Sequence, residues 1–377
     1  MRAWPILLLL SACATRPAEV RVAFDADVIT SVHARGLADR AARRPVTADD
    51  PVRVASISKT VVALGALRLV EAGSLDLDRD VSDYLGWRLR NPAFPDVPVT
   101  LRLLLSHRSS LSDNADYAIP LGKTLRETTA DPKAWDSAHA PGGWFHYTNL
   151  NFPVIASVME RVTGERFDRL MARLVFEPLH LDACFNWTTC SDLKLGHAVV
   201  LYDDKGTVLR DDLHGQRPAC AVLAPDGCDA LSAYRPGDNG ALFSPQGGLR
   251  ASALDLARIG QMILKNDSSF LKPETLALLE IGAPGLAFVS GETERGFYCQ
   301  YGLAWQSLPS TRTDCRDHLF TDGQQWRGHA GEAYGVRSGL WLSGDHGVAF
   351  FATAVPDGQK GKRSAFSREE EKLARPK

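Results

Sequence analysis

Both ends of this chain read as β-strand, and that constrains its fold more than any other feature. Near the start, Val20-Arg21-Val22-Ala23-Phe24 and Val28-Ile29-Thr30-Ser31-Val32 alternate apolar and polar residues around an Asp25-Ala26-Asp27 turn, the pattern of an entry hairpin. In the final third, Tyr301 to Trp305, Gly335 to Leu342 and Gly347 to Ala354 carry the same period-two signal. Helical periodicity fills the middle. Strands at both ends with helices between them predict an α+β fold: an antiparallel sheet closed by the two termini, flanked by helices and interrupted by an inserted, mostly helical domain. The expected division is residues 20–99 and 240–377 for the sheet domain and 100–239 for the insertion.

Helices are expected from Thr60 to Glu71, Thr100 to Leu111, Asn151 to Leu174 and from Ser252, with Gly73 as a stop and a last helix opening at Ser367 under a Ser367/Glu370 capping box. Asp182 to Gly240 breaks into turns and cysteine pairs, as a stapled irregular segment would. Asp76, Asp78 and Asp80 have the spacing of a calcium loop, but Val81 and Trp87 stand where its glycine and closing acid belong, so a solvated loop is the reading.

Residues 1–12 have the make-up of an export signal, and Leu10-Ser11-Ala12-Cys13 resembles a bacterial lipobox, which predicts a lipidated Cys13, a tether over 13–19 and an envelope or periplasmic location. Of the seven cysteines, the six beyond Cys13 fall into three close pairs, predicting disulfides Cys184–Cys190, Cys220–Cys228 and Cys299–Cys315. None has C-x-x-C spacing or paired histidines beside it, so no metal is expected, and no cofactor either. The formal net charge of −2, with scattered basic residues, argues against nucleic acid as a partner. No apolar run past the leader approaches membrane-spanning length, leaving the Cys13 lipid as the expected membrane contact.

Ser56-Ile57-Ser58-Lys59 opens the first long helix. Residues three apart share a helix face, so the Lys59 amine is set against the Ser56 hydroxyl as a built-in base. An amine accepts that proton only if burial or nearby positive charge lowers its pKa from about 10.4 toward neutrality. The rival reading makes Ser56 an ordinary helix N-cap.

Two further motifs follow: Tyr147-Thr148-Asn149 after a Pro141-Gly142-Gly143 turn, and Gly328-His329-Ala330-Gly331 before the strand at Gly335. In the order S-x-x-K, Y-x-N, H-x-G, the chain resembles the serine β-lactamase and penicillin-recognising superfamily, in its class C branch with DD-peptidases and family VIII esterases. Val175-Phe176-Glu177-Pro178-Leu179, Gly247-Gly248-Leu249 and Tyr301-Gly302-Leu303-Ala304-Trp305 are similar to landmarks of that family. The resemblance implies a β-lactamase/transpeptidase-like fold, with Ser56 as nucleophile and Lys59 as its proton partner. Tyr147 would be general base in acylation and general acid toward the leaving group, its phenol kept reactive by positive charge from Lys59 and His329. Asn149 would contact substrate and lysine, and the backbone N–H groups of Ser56 and Glu332 would form an oxyanion hole beside Ala330 and Gly331. Ser112-Asp113-Asn114 spells a class A motif, but Y-x-N already fills its role. His107 reads as a structural histidine and His146 as a flanking wall residue.

Relatives that bind a substrate carboxylate carry K-T-G or H-T-G, where this chain has Ala330 without a hydroxyl, followed by the acidic Glu332. Both changes disfavour an anion at that position, unless Arg337 points inward. The expected activity is hydrolysis of esters or small amides through a Ser56 acyl-enzyme. The alternatives are a D-alanyl-D-alanine carboxypeptidase or β-lactamase acting on a peptidoglycan-derived or antibiotic substrate, and a non-catalytic envelope lipoprotein.

Overall fold

A computed structural model describes residues 16–281 and 290–375; the leader and Cys13 lie outside the described residues. The first strand, Glu19–Asp25, pairs antiparallel with Ile29–Arg35 on one side and with the last strand, His346–Ala352, on the other, Val22 standing opposite Ala349. The sheet continues outward through Val336–Ser343 and Trp326–Ala333 to the short strand Gln306–Leu308. The termini close the sheet, as the strand-rich ends imply. Asp25 Oδ1 accepts from the N–H groups of Asp27 and Val28, each at 2.8 Å, and so fixes the entry turn.

Strand alternation divides the core in two. Val20, Val22, Phe24, Leu340 and Leu342 are buried against one helical layer, where Ala253–Leu264 lies on the sheet. Trp341, Phe350 and Ala352 point the other way, onto Phe366 and Leu373 of the C-terminal segment. Each fully buried side chain of this size is worth about 1.5–3 kcal/mol. Gly260 lets the first layer approach closely: a Cβ there would lie 2.4 Å from Phe24 Cζ. Capping boxes at Ser252/Asp255 and Ser367/Glu370 start the two covering helices.

The helix Ile57–Glu71 is buried on every side, so its position is set by packing rather than by one apolar stripe. Thr60 Oγ1 donates to Ala304 O at 2.8 Å, and a Cβ on Gly65 would lie 2.8 Å from Met171 Sδ.

Three expected elements differ. The helix at Thr100 covers only Leu101–Leu105, because His107 and Ser110 take left-handed conformations (φ 56° and 60°) and Arg108 N turns back to Leu103 O at 2.8 Å. The long helix from Asn151 stops at Thr163, where Gly164 caps it with φ 68°, and resumes as Phe167–Met171 followed by a wide turn through Phe176. Tyr301 to Trp305 is not a strand. Its backbone bonds go elsewhere, Leu303 N to Leu279 O at 2.9 Å and Ala304 N to Leu105 O at 2.8 Å, and the strand begins only at Gln306.

All three predicted disulfides are present: Cys184–Cys190, Cys220–Cys228 and Cys299–Cys315, with Cα separations of 5.1, 5.5 and 6.2 Å. Such bonds persist in oxidising compartments, which suggests an exported, non-cytoplasmic protein. Asp78 and Asp80 of the acidic loop pair with Arg102 and Arg90. Among the described residues no helix is long and apolar enough to cross a membrane.

Candidate active site

Strand Val52–Arg53 runs into the buried helix through Ala55, whose φ of 48° puts a non-glycine residue in the left-handed region. That costs about 1–2 kcal/mol and turns Ser56 sharply onto the helix start. The Ser56 side chain makes no capping hydrogen bond. Its Oγ instead accepts from Lys59 Nζ at 3.0 Å, which is the S-x-x-K geometry and not the N-cap one.

Lys59 is wholly buried, and its Nζ also donates to Asn149 Oδ1 at 2.9 Å and Gln246 O at 2.8 Å. Burial lowers its pKa to about 7, against the opposing pull of the Asp113 and Glu294 carboxylates. As an ammonium it satisfies three acceptors with three protons; as an amine it keeps two donors and frees a lone pair for the Ser56 proton.

Tyr147 lies between two rings, His107 stacked at 4.3 Å and Tyr298 at 4.4 Å between centroids. Its hydroxyl is buried without a well-aligned hydrogen-bond partner. Burial pushes its pKa above the usual phenol range, with the Ser56 and Tyr298 hydroxyls only partly offsetting the rise. Lys59 Nζ sits 4.9 Å from the Tyr147 ring centroid. His107 accepts from Thr148 N at 3.0 Å through Nδ1, and burial keeps it neutral. It supports the tyrosine, consistent with a structural histidine. His146 stands at the surface beside Glu292.

Asn149 is held by Asp113, whose Oδ2 accepts from both its backbone N and its Nδ2 at 2.9 Å while Oδ1 accepts from Leu150 N at 2.9 Å. Asp113 does not line the cavity, so the Ser112-Asp113-Asn114 triplet serves as an anchor for Asn149. Sequence spacing carries no sign of that role. Tyr298 was equally invisible there, being neither in a motif nor on a periodic face.

The strand Trp326–Ala333 supplies the opposite wall. Its neighbour Gln306–Leu308 reaches only as far as Gly328, so from His329 onward that edge has no ladder partner among the described residues. Ala330, Gly331 and Glu332 line the cavity there with Ser56, Tyr147 and Asn149. Gly331 lies so near the nucleophile turn that a Cβ would be 2.3 Å from Val54 O and 3.2 Å from Ser56 N. His329 is buried behind this edge, its Nε2 2.8 Å from the Tyr301 hydroxyl and its Nδ1 2.5 Å from Ala330 O. Burial, then Lys59, lowers its pKa to about 3. The imidazole is neutral and gives Tyr147 no positive charge, contrary to the sequence-based expectation. The alternative left open at Glu332 is the one found: the buried Arg337, opposite it in the ladder, pairs with it at 2.5 Å and offsets its negative charge.

The space these groups line is a cleft of about 770 Å³, large enough for a drug-sized substrate. It brings together a serine hydroxyl, a low-pKa amine, a protonated phenol and an unpaired strand edge, the parts required for acyl transfer. The cysteines with Asp317 are the one cluster of metal-ligand atoms among the described residues, and two of its three members are the Cys299–Cys315 disulfide.

A family model described as Beta-lactamase matches residues 15–367. The chain is 32% identical to "Esterase EstB" of Burkholderia gladioli over 65% of its own length and 64% of that protein's. It is 28% identical to "Lovastatin esterase" of Penicillium rubens, over 61% of this chain and 59% of the relative. The matches therefore span less than two thirds of either relative. Among solved structures, "EstCE1, a hydrolase with promiscuous acyltransferase activity" superposes with a TM-score of 0.68 at 21% identity, covering 95% of this chain and 93% of that one, a likeness of fold.

Proposed function

This chain belongs to the beta-lactamase family, and from that premise we propose that it is a serine hydrolase which cleaves small esters through a Ser56 acyl-enzyme. The observation that carries the proposal is the Lys59 amine, 3.0 Å from Ser56 Oγ and lowered by burial to a pKa of about 7. Neutral Lys59 takes the hydroxyl proton as Ser56 Oγ adds to the ester carbonyl, and the carbonyl oxygen gathers negative charge against the Ser56 and Glu332 backbone N–H groups. The tetrahedral intermediate collapses by breaking the bond to the alcohol oxygen, which takes a proton from Tyr147. The phenolate then regains a proton from the Lys59 ammonium. Water repeats the sequence on the acyl-enzyme, releasing the acid and restoring Ser56. This division of labour follows from the resting protonation states: the raised pKa keeps Tyr147 protonated and so unable to take the first proton, and the neutral His329 does not lower it, whereas Lys59 near neutrality can accept that proton.

The preference for esters is supported by Ala330, which offers no hydroxyl to a substrate carboxylate at that position, and by the two esterase relatives. A panel of p-nitrophenyl butyrate, a D-Ala-D-Ala peptide and a cephalosporin tests the reading. We expect the ester to be turned over fastest, with kcat/KM rising as pH passes upward through about 7, because Lys59 accepts a proton only above its lowered pKa. A flat profile from pH 6 to 8, or fastest cleavage of the peptide or cephalosporin, would overturn it.

Envelope location with a lipid on Cys13 is part of the same proposal, supported by Leu10-Ser11-Ala12-Cys13 and by the three disulfides. Expressed with labelled palmitate, the wild-type protein is expected in the membrane fraction carrying label, and Cys13→Ser in neither state. Equal partitioning of the two proteins would refute the anchor.

A further inference from the structure

The cavity has a second end that the acyl-transfer groups leave unused. Arg53 and Arg250 stand directly opposite each other in the ladder between strands Val52–Arg53 and Leu249–Ala251, an arrangement that like charges destabilise. Arg210, closing the strand Val208–Arg210, brings a third guanidinium to the same wall. The carboxylate of Asp211 is held by Arg250: Arg250 Nη2 donates to Asp211 Oδ1 at 2.8 Å, and Trp187 Nε1 to the same oxygen at 2.9 Å. Arg250 Nη1 is occupied by Asn186 Oδ1 and Gly248 O, both at 2.7 Å. That pair is an internal anchor.

Arg53 and Arg210 are different. Neither makes an ion pair among the described residues. Arg53 Nη1 donates to Gly247 O at 2.8 Å, while its Nε is buried without a partner. Burial and the neighbouring Arg250 bring the Arg53 pKa to about 9, so the group is charged at neutral pH. The two guanidiniums lie 5.1 and 4.9 Å from the centroid of the Tyr334 ring, which is 40% exposed. A single aromatic ring offsets only a small part of two positive charges. Glu332, the nearest acid along the strand, is already matched to Arg337.

We propose that Arg53, Tyr334 and Arg210 form an anion subsite that receives a carboxylate carried by the acyl part of the substrate. The favoured substrates are then half-esters of short dicarboxylic acids. This rests on the hydrolase reading, in which the leaving group lies beside its proton donor Tyr147. The acyl group then extends the other way, along the strand from Gly331, adjoining Ser56, toward the turn at Tyr334. Guanidinium pairs suit a carboxylate because their planar donors match its two oxygens.

Binding of monoethyl glutarate and of ethyl butyrate to the Ser56→Ala protein, which retains the cavity, tests the subsite by calorimetry. Monoethyl glutarate is expected to bind more tightly than ethyl butyrate. Adding Arg210→Gln should weaken it about tenfold, the loss of roughly one charge-assisted contact, and Arg210→Lys should restore most of it. Arg210 is exposed, and its part in the strand pair with Leu201 is made by its backbone, which the substitution keeps. Equal binding of the two esters, or glutarate binding indifferent to Arg210→Gln, overturns the subsite. Failure of the hydrolase reading appears separately, as turnover of neither mono-p-nitrophenyl glutarate nor p-nitrophenyl butyrate above the Ser56→Ala rate, and the calorimetric result still decides the subsite.

Discussion

Ser56→Ala is expected to lower kcat for p-nitrophenyl butyrate by at least about a thousandfold while leaving the folded state almost as stable as before. The two halves of that expectation come from one observation. The Ser56 hydroxyl makes no capping hydrogen bond, and its partner is Lys59 Nζ. Were it an N-cap, its removal would cost about 1 kcal/mol of stability and leave chemistry elsewhere intact. As a nucleophile, its removal abolishes the acyl-enzyme, while Lys59 keeps its bonds to Asn149 Oδ1 and Gln246 O. Steady-state rates and a melting curve on the same preparation separate the cases. Near wild-type turnover in the alanine variant would eliminate Ser56 as the attacking group.

Lys59→Met is expected to reduce kcat/KM by about a hundredfold to ten-thousandfold, the usual yield of a positioned base. Lys59→Arg should not rescue it, because a guanidinium stays charged at any working pH and cannot accept the proton. A thermodynamic signature accompanies the kinetic one. The folded-state pKa of about 7 lies below that of a free lysine, so between roughly pH 7 and 10 the unfolded chain binds a proton that the native protein does not. Stability contributed by this group therefore rises with pH across that window and falls away as pH drops toward 7. Lys59→Met should flatten the corresponding slope of melting temperature against pH. An unchanged slope would mean that Lys59 is charged in the native protein and is not the base.

What the sequence made legible depended on whether a signal was local. The terminal strands announce themselves by alternation, Ser367 and Glu370 by the capping box they form, and Ser56 with Lys59 by helical spacing. Asp113 carries no such signal, because its role consists of three hydrogen bonds to Asn149 and Leu150, which no local pattern encodes. Tyr298 reaches Tyr147 by ring stacking across a far longer stretch of sequence. The stop at Thr163 is legible locally, since Gly164 interrupts the apolar period with a residue suited to the left-handed cap. Tyr301 to Trp305 could not be resolved by pattern at all. A buried apolar run looks like a strand until one knows that its backbone bonds go to Leu105 and Leu279.

The closure of the sheet by its first and last strands bears on when the cleft becomes organised. The strand Glu19–Asp25 pairs on one side with the neighbouring Ile29–Arg35, but its other partner is His346–Ala352, so the central ladder cannot form until that distant strand has been made. The wall formed by Trp326–Ala333 belongs to the same sheet and is completed at the same late moment. Such dominance of distant pairings slows folding and leaves the incomplete chain without an organised cleft. Organisation of the cleft is thereby postponed until the distant strand has joined the sheet, a timing device that comes from topology alone.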